Sequence, residues 1–182
     1  MRTIVVGLGN PILSDDSVGI KAAGMVKELV SGAADIEVVE AYAGGLRLME
    51  AIAGYDRAII VDAMTRGGCA PGTLLRFRAG EGVGTRNLLC THDSDLETSL
   101  SLGRELGLAL PEEITLLGIE AEDVDSFSEQ LTSLVRAALP AAVAEILSLC
   151  RLQSRESPHP PPPPIEGTAT KLSSTCCSLP LP

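Results

Sequence analysis

Residues 2–16 read RTIVVGLGNPILSDD, and the fold follows from how this stretch begins and breaks. Residues 2–7 are rich in β-branched side chains and bounded by Gly7 and Gly9, which predicts a strand that turns into a loop at the glycines. A helix is predicted over residues 17–30, with Val18, Ala22, Met25 and Leu29 on one face at helical spacing. Residues 36–42 (IEVVEAY) read as a second strand, 46–53 as a short helix after Gly44 and Gly45, and 57–63 (RAIIVDA) as a third strand. Alternation of this kind gives parallel neighbours through right-handed crossovers, with strand 1 between strands 2 and 3. The order 2-1-3 makes a topological switch point at the carboxyl ends of strands 1 and 3, where open α/β sheets bind ligands. Asp15 and Asp16 follow the first of these ends, and Asp62 lies at the second.

Further along, residues 73–78 read as a fourth strand and a glycine-rich loop runs from Gly80 to about Cys90. Leu96, Leu100, Gly103 and Gly107 share a helical face, Pro111 stops that helix, and residues 114–119 (ITLLGI) form a fifth strand. A last amphipathic helix is expected from near Ser128, turning Leu131, Val135, Leu139, Val143, Ile146 and Cys150 inward, with Pro140 kinking or splitting it. The expected architecture is a three-layer α/β fold of the phosphorylase/hydrolase-like kind: a twisted, mostly parallel five-stranded sheet with helices on both faces. One domain should occupy residues 1–151. Residues 152–182, with five consecutive prolines at 160–164, Ser/Thr-rich segments and a terminal LPLP, are expected to form a disordered or polyproline tail.

Composition narrows the function. Hydrophobic residues are 45% of the chain and aromatics only 2%, so the core must be aliphatic and few rings are available for stacking nucleobases. The net charge is −10, and because residues 151–182 carry +1 the rest stands at −11, which repels phosphate backbones. Five cysteines without a CxxC pair do not make a disulfide framework, and reduced thiols fit a cytoplasmic protein. No window approaches 18 uninterrupted apolar residues, so no membrane span is expected.

GLGNP resembles the start of a dinucleotide loop, but position 12, where G-x-G-x-x-G needs its third glycine, is Ile. Two acids then stand where a pyrophosphate wants bare N–H groups, and Glu40 is a weak ribose ligand at best. Gly7 and Gly9 are expected simply to permit a tight turn. One acid suffices to cap the following helix, and Asp15 takes that role more easily, which leaves Asp16 facing the crevice. Asp62 ends an apolar strand, where a carboxylate costs several kcal/mol unless it is paired or bound. His92, in the polar loop CTHDSD, is the one histidine before the tail. Asp16, Asp62 and His92 together make an O,O,N set suited to a borderline divalent ion such as Zn²⁺ or Ni²⁺. No HExxH pair and no GxSxG elbow is present.

In order and spacing, GLGNPILSDDSVG, IIVDA, CTHDSDL and LLGIE resemble the hydrogenase maturation proteases, over roughly residues 1–147. The resemblance implies an endopeptidase that trims a C-terminal peptide from the large-subunit precursor of a [NiFe] hydrogenase once nickel is installed. The nickel is carried by that substrate, with no permanently bound cofactor. It implies that Asp16, Asp62 and His92 are the metal-contacting and catalytic residues. Several members have Glu at the position of Asp16, this chain has AGGLR at 43–47 where many have a Gly-Thr loop, and Ala121 stands where Pro often follows Gly-Ile-Glu. The readings weighed against it are a hydrolase holding its own zinc in the same triad and a metal-sensing chaperone that binds the precursor without cutting it. A peptidyl-tRNA hydrolase, which also opens on a GLGNP-like run, needs a His-Asn pair soon after, and residues 11–30 contain no His.

Overall fold

The computed structural model describes residues 1–79 and 96–151. The glycine-rich loop, His92 and the tail at 152–182 therefore lie outside the described residues. The strands are β1 (Thr3–Leu8), β2 (Ile36–Ala41), β3 (Arg57–Met64), β4 (Leu74–Arg78) and β5 (Glu113–Glu120). The helices are α1 (Val18–Leu29), α2 (Gly45–Ile52), α3 (Leu96–Glu105) and α4 (Ser133–Arg151), with a short 3-10 turn at Asp15–Ser17. One sheet forms in the order β2-β1-β3-β5-β4, parallel throughout except for β4, which runs antiparallel to β5 at the edge. The expected three-layer, mostly parallel five-stranded architecture is what the chain adopts.

β1 and β3 are buried along their whole length, as central parallel strands covered on both faces must be. Val5, Ile59, Val61, Leu117 and Ile119 face α1 and α4, whereas Ile4, Val6, Leu8, Ile60 and Leu116 face α2 and α3. Because α1 and α2 cover opposite faces, the chain reverses direction across the sheet between β1 and β3. Arg57, buried at the start of β3, donates to the carbonyl of Leu149 and pairs with Glu113 at 3.3 Å, so a cation closes the negative end of α4.

Several details differ from the sequence expectations. The inward stripe of α1 is Val18, Ala22, Ala23 and Val26, while Met25 and Leu29 are exposed. The helix approaches the sheet too closely for longer side chains: a Cβ on Gly7 would meet the Cβ of Ala23 at 2.5 Å, and one on Gly19 would sit 2.3 Å from both the Leu8 and Val61 carbonyl oxygens. α3 ends not at Pro111 but at Glu105, and just beyond it Gly107, with a φ of 76°, sends its N–H to the Arg104 carbonyl while that of Leu108 reaches Gly103.

α4 begins at Ser133, five residues later than expected, because the chain before it is tied to the end of β1. Pro140 does not split the helix. It lies on the exposed side, and the Arg136 carbonyl it leaves without an N–H partner belongs to an exposed residue as well. Residues 133–150 are also apolar and long enough to cross a membrane by composition. Here Val135, Ala142, Val143, Ile146 and Leu149 are instead packed in the core beside α1.

Gly19 and Gly24 stand in the same helix with opposite surroundings, since nothing lies within 4 Å of a Cβ on Gly24. Gly24→Ala should therefore stabilise the protein by about 1 kcal/mol through helix propensity. Gly19→Ala should destabilise it by about 3 kcal/mol, as overpacking against backbone does. Urea denaturation of the two variants checks both signs.

Candidate active site

The β1–β3 ladder ends at the pair Gly7–Val61. Asp62 is thus the first residue of β3 with β5 on one side (opposite Gly118) and no β1 partner on the other. β1 turns away at this level, and the Gly9 N–H bonds the Ala41 carbonyl at the end of β2. The crevice predicted from the strand order therefore opens immediately beside Asp62. Gly19 fills its floor, wedged between the carbonyls of Leu8 and Val61, which brings the start of α1 and the preceding turn against β3.

Asp62 is fully buried and accepts the N–H of Ala63 at 2.9 Å. β3 continues two residues past it to Met64, so Asp62 closes the β1 side of the ladder but not the strand itself. Asp16 is buried in the turn between β1 and α1, and its Oδ2 accepts the Asn10 N–H at 2.9 Å. That bond folds the loop after Gly9 back over the turn. Gly9 has a φ of 147°, and a Cβ there would meet the Asp16 carbonyl at 2.0 Å. The two glycines of the GLGNP run serve close packing rather than a phosphate, and Glu40 is exposed, accepting a hydrogen bond from Tyr42.

Asp15 is not a helix cap. Neither the 3-10 turn nor α1 has a side-chain cap, and Asp15 points away from both. Its Oδ2 accepts the N–H groups of Glu122 and Asp123 (both 3.0 Å) and the hydroxyl of Thr132 (2.9 Å), while Oδ1 accepts the Thr132 N–H (2.7 Å). Four donors satisfy a carboxylate with no exposed surface. The bonds fasten the segment between β5 and α4 to the end of β1. Leu13 and Phe127 add a backbone bridge beside them.

Structure and sequence agree on the placement of two of the three expected site residues. Asp16 and Asp62 come to one end of the sheet, at the mouth between β1 and β3, and His92 lies outside the described residues. Among those residues no group of three His, Cys, Asp or Glu side chains is assembled to hold a metal ion. A fourth carboxylate, not among those expected from the sequence, lies at the same end of the sheet. Glu120 ends β5 on the same sheet face as Asp62, buried, with Oε1 taking the Gly67 N–H at 3.0 Å and Oε2 without a partner. Like Asp62, Glu120 is an acid at the end of an apolar run, LLGIE. A surface hollow lined by Met1, Tyr55, Asp56, Leu110 and Glu113 lies at the opposite, amino-terminal edge, where open α/β sheets do not bind ligands.

The clamp makes a stability prediction. Asp15→Ala strands three backbone N–H groups and should cost roughly 3–5 kcal/mol, whereas Thr132→Val removes one hydroxyl bond and should cost about 1 kcal/mol. Chemical denaturation separates the two.

Comparison with known proteins identifies the family of this chain. A model of the hydrogenase maturation protease family matches residues 20–149. That match includes Asp62 and His92 and begins just after Asp16. The hydrogenase 2 maturation protease of Escherichia coli K12 is 28% identical over 152 residues, covering 83% of this chain and 92% of that protein. The hydrogenase expression/formation protein HupD of Rhizobium leguminosarum bv. viciae is 26% identical over 153 residues, 82% of this chain and 74% of the relative. Among solved structures, the hydrogenase maturating endopeptidase HybD from E. coli superposes with a TM-score of 0.69 at 26% identity, covering 84% of this chain and 93% of that one. The [NiFe] hydrogenase maturation protease HybD from Thermococcus kodakarensis does so at 0.64 and 26%, covering 82% and 99%. With a family match over most of its length and the fold of these enzymes, the chain belongs to the hydrogenase maturation proteases and is an endopeptidase of hydrogenase assembly.

Proposed function

We propose that this endopeptidase removes the C-terminal extension of a [NiFe] hydrogenase large-subunit precursor after nickel has been inserted, and that it recognises the nickel carried by that substrate. The observation behind this reading is the pair of buried carboxylates, Asp16 and Asp62, at the open mouth between β1 and β3. Two buried acids at one end of the sheet offer oxygen ligands to a divalent cation that a substrate carries there. With the imidazole of His92 they form an O,O,N set that can occupy open positions on a borderline divalent ion. Held there, the substrate's metal fixes the scissile bond beside the carboxylates.

Hydrolysis then needs a water deprotonated at the carbonyl and a proton returned to the leaving nitrogen. Asp62 is our candidate base, since it is held rigid within a central strand; a water polarised by the substrate's nickel is the other source of nucleophile. The backbone bond from Asn10 keeps Asp16 in one orientation, the role of an orienting ligand. Nickel thereby acts as a checkpoint: a precursor without metal offers nothing for the triad to hold. We place the enzyme in the cytoplasm, where a protein with an exposed thiol such as Cys69 remains reduced.

Purified enzyme mixed with nickel-loaded and nickel-free precursor, followed by mass spectrometry, tests this reading. The loaded form should lose a C-terminal peptide and the nickel-free form should not. Asp16→Ala, Asp62→Ala and His92→Ala should each reduce processing by at least about 100-fold, the usual scale for a lost general base or positioning ligand. Processing at normal rates by the Asp62 and His92 variants would sink the site assignment. Stoichiometric zinc in the purified protein would instead favour a hydrolase with its own metal.

A further inference from the structure

We propose that Phe127, on the ridge formed by residues 12–14 and 126–128, is a docking knob for the large-subunit precursor, and that it fits an apolar socket rimmed by basic residues. The inference rests on the function proposed above and names the surface by which that substrate is held.

Phe127 is 83% exposed, more than any other large hydrophobic residue among those described. An exposed apolar side chain on a loose loop would need no explanation. Phe127 is on a segment hydrogen-bonded to the chain after β1 and within itself. The Ser14 N–H bonds the Ser126 carbonyl at 3.0 Å, the Ser128 N–H bonds that of Ile12 at 3.1 Å, and Leu13 pairs with Phe127 between them. On one flank Asp15 holds Glu122, Asp123 and Thr132. Within the loop, Asp123 Oδ1 accepts the N–H groups of Asp125 and Ser126, and Ser128 Oγ accepts that of Gln130. A ring presented on so rigid a backbone loses little further freedom when a partner covers it, which is the condition under which an aromatic anchor contributes most to binding.

The surroundings state the chemistry of the socket. Glu122, Asp125 and Glu129 are exposed around Phe127, and no lysine or arginine occurs between Arg104 and Arg136. The Asp123 carboxyl is held below its usual range by the Ser126 hydroxyl and by the Ser126 and Asp125 N–H groups, so it adds a further negative charge. An apolar knob in an acidic collar calls for an apolar hollow with a cationic rim.

Its position states the occupant. Ile12, 51% exposed, lies two residues beyond Asn10, whose N–H holds Asp16. Leu13 is followed directly by Ser14, Asp15 and Asp16. A partner seated on the ridge is therefore seated beside the crevice, and the partner that must reach the crevice is the protein whose chain is cut there.

The test uses the full chain and nickel-loaded precursor, with processing rate measured against precursor concentration and binding measured separately by interferometry. Phe127→Ala should raise KM and Kd roughly tenfold, with kcat at saturation within about twofold of wild type, and Phe127→Leu should recover part of the loss. Neutralising the collar (E122Q, D125N and E129Q together) should raise KM and flatten its dependence on NaCl. Leu134→Ala, equally apolar and 54% exposed on α4, should change neither constant. Wild-type KM and Kd in Phe127→Ala would overturn the proposal, as would a loss confined to kcat. If wild type binds the precursor through Phe127 but does not cut it, the docking surface stands and the proposed reaction falls. If wild type does not bind the precursor, the docking proposal falls.

Discussion

The carboxylate of Asp15 is the point on which the mouth between β1 and β3 depends. It has no contact with solvent, and burying an ion of that kind costs several kcal/mol unless its lone pairs are met. They are met by three backbone N–H groups and a hydroxyl from one segment, 122–132, that has no regular structure of its own. The charge that would be a liability alone becomes the fastening for a loop. Asp16, the next residue, accepts the Asn10 N–H from the loop after Gly9 instead.

Close packing does the rest. The start of α1 can lie against the splitting ends of β1 and β3 only because Gly7, Gly9 and Gly19 have no side chain to collide with backbone oxygens or Ala23. This contact aligns the turn bearing Asp16 with the last ladder step before Asp62. Rigid strands and a bare helix face thus set the spacing of two acids that are 46 residues apart in sequence, and no long side chain has to reach for the other.

Much of this was legible in the sequence. The alternation of β-branched runs with helical stripes gave strands and helices in the right order, and strand order alone placed Asp16 and Asp62 at one crevice. What could not be read had physical causes. Residues 17–30 hold enough apolar side chains for two stripes to fit at helical spacing, and the glycine contacts select Ala22, Ala23 and Val26. An acid before a helix satisfies the cap rule locally, whereas the partners of Asp15 lie more than a hundred residues away. The burial of Glu120 follows from the edge strand β4 and the Gly67 turn folding over it, which no local pattern reports.

Those long separations have a consequence for the order in which the protein becomes competent. The Asp15 bonds join residues 107 to 117 positions apart. Closing loops of that size is an entropic toll that local contacts do not defray, so such bonds form late, after the sheet has brought the ends together. Until β5 is laid beside β3 and the chain beyond it returns, Asp16 sits on a turn with only one of its walls. The ridge bearing Phe127 does not exist before that moment either. The end of the sheet where Asp16 and Asp62 lie therefore takes its final form only after the chain beyond β5 has returned to it.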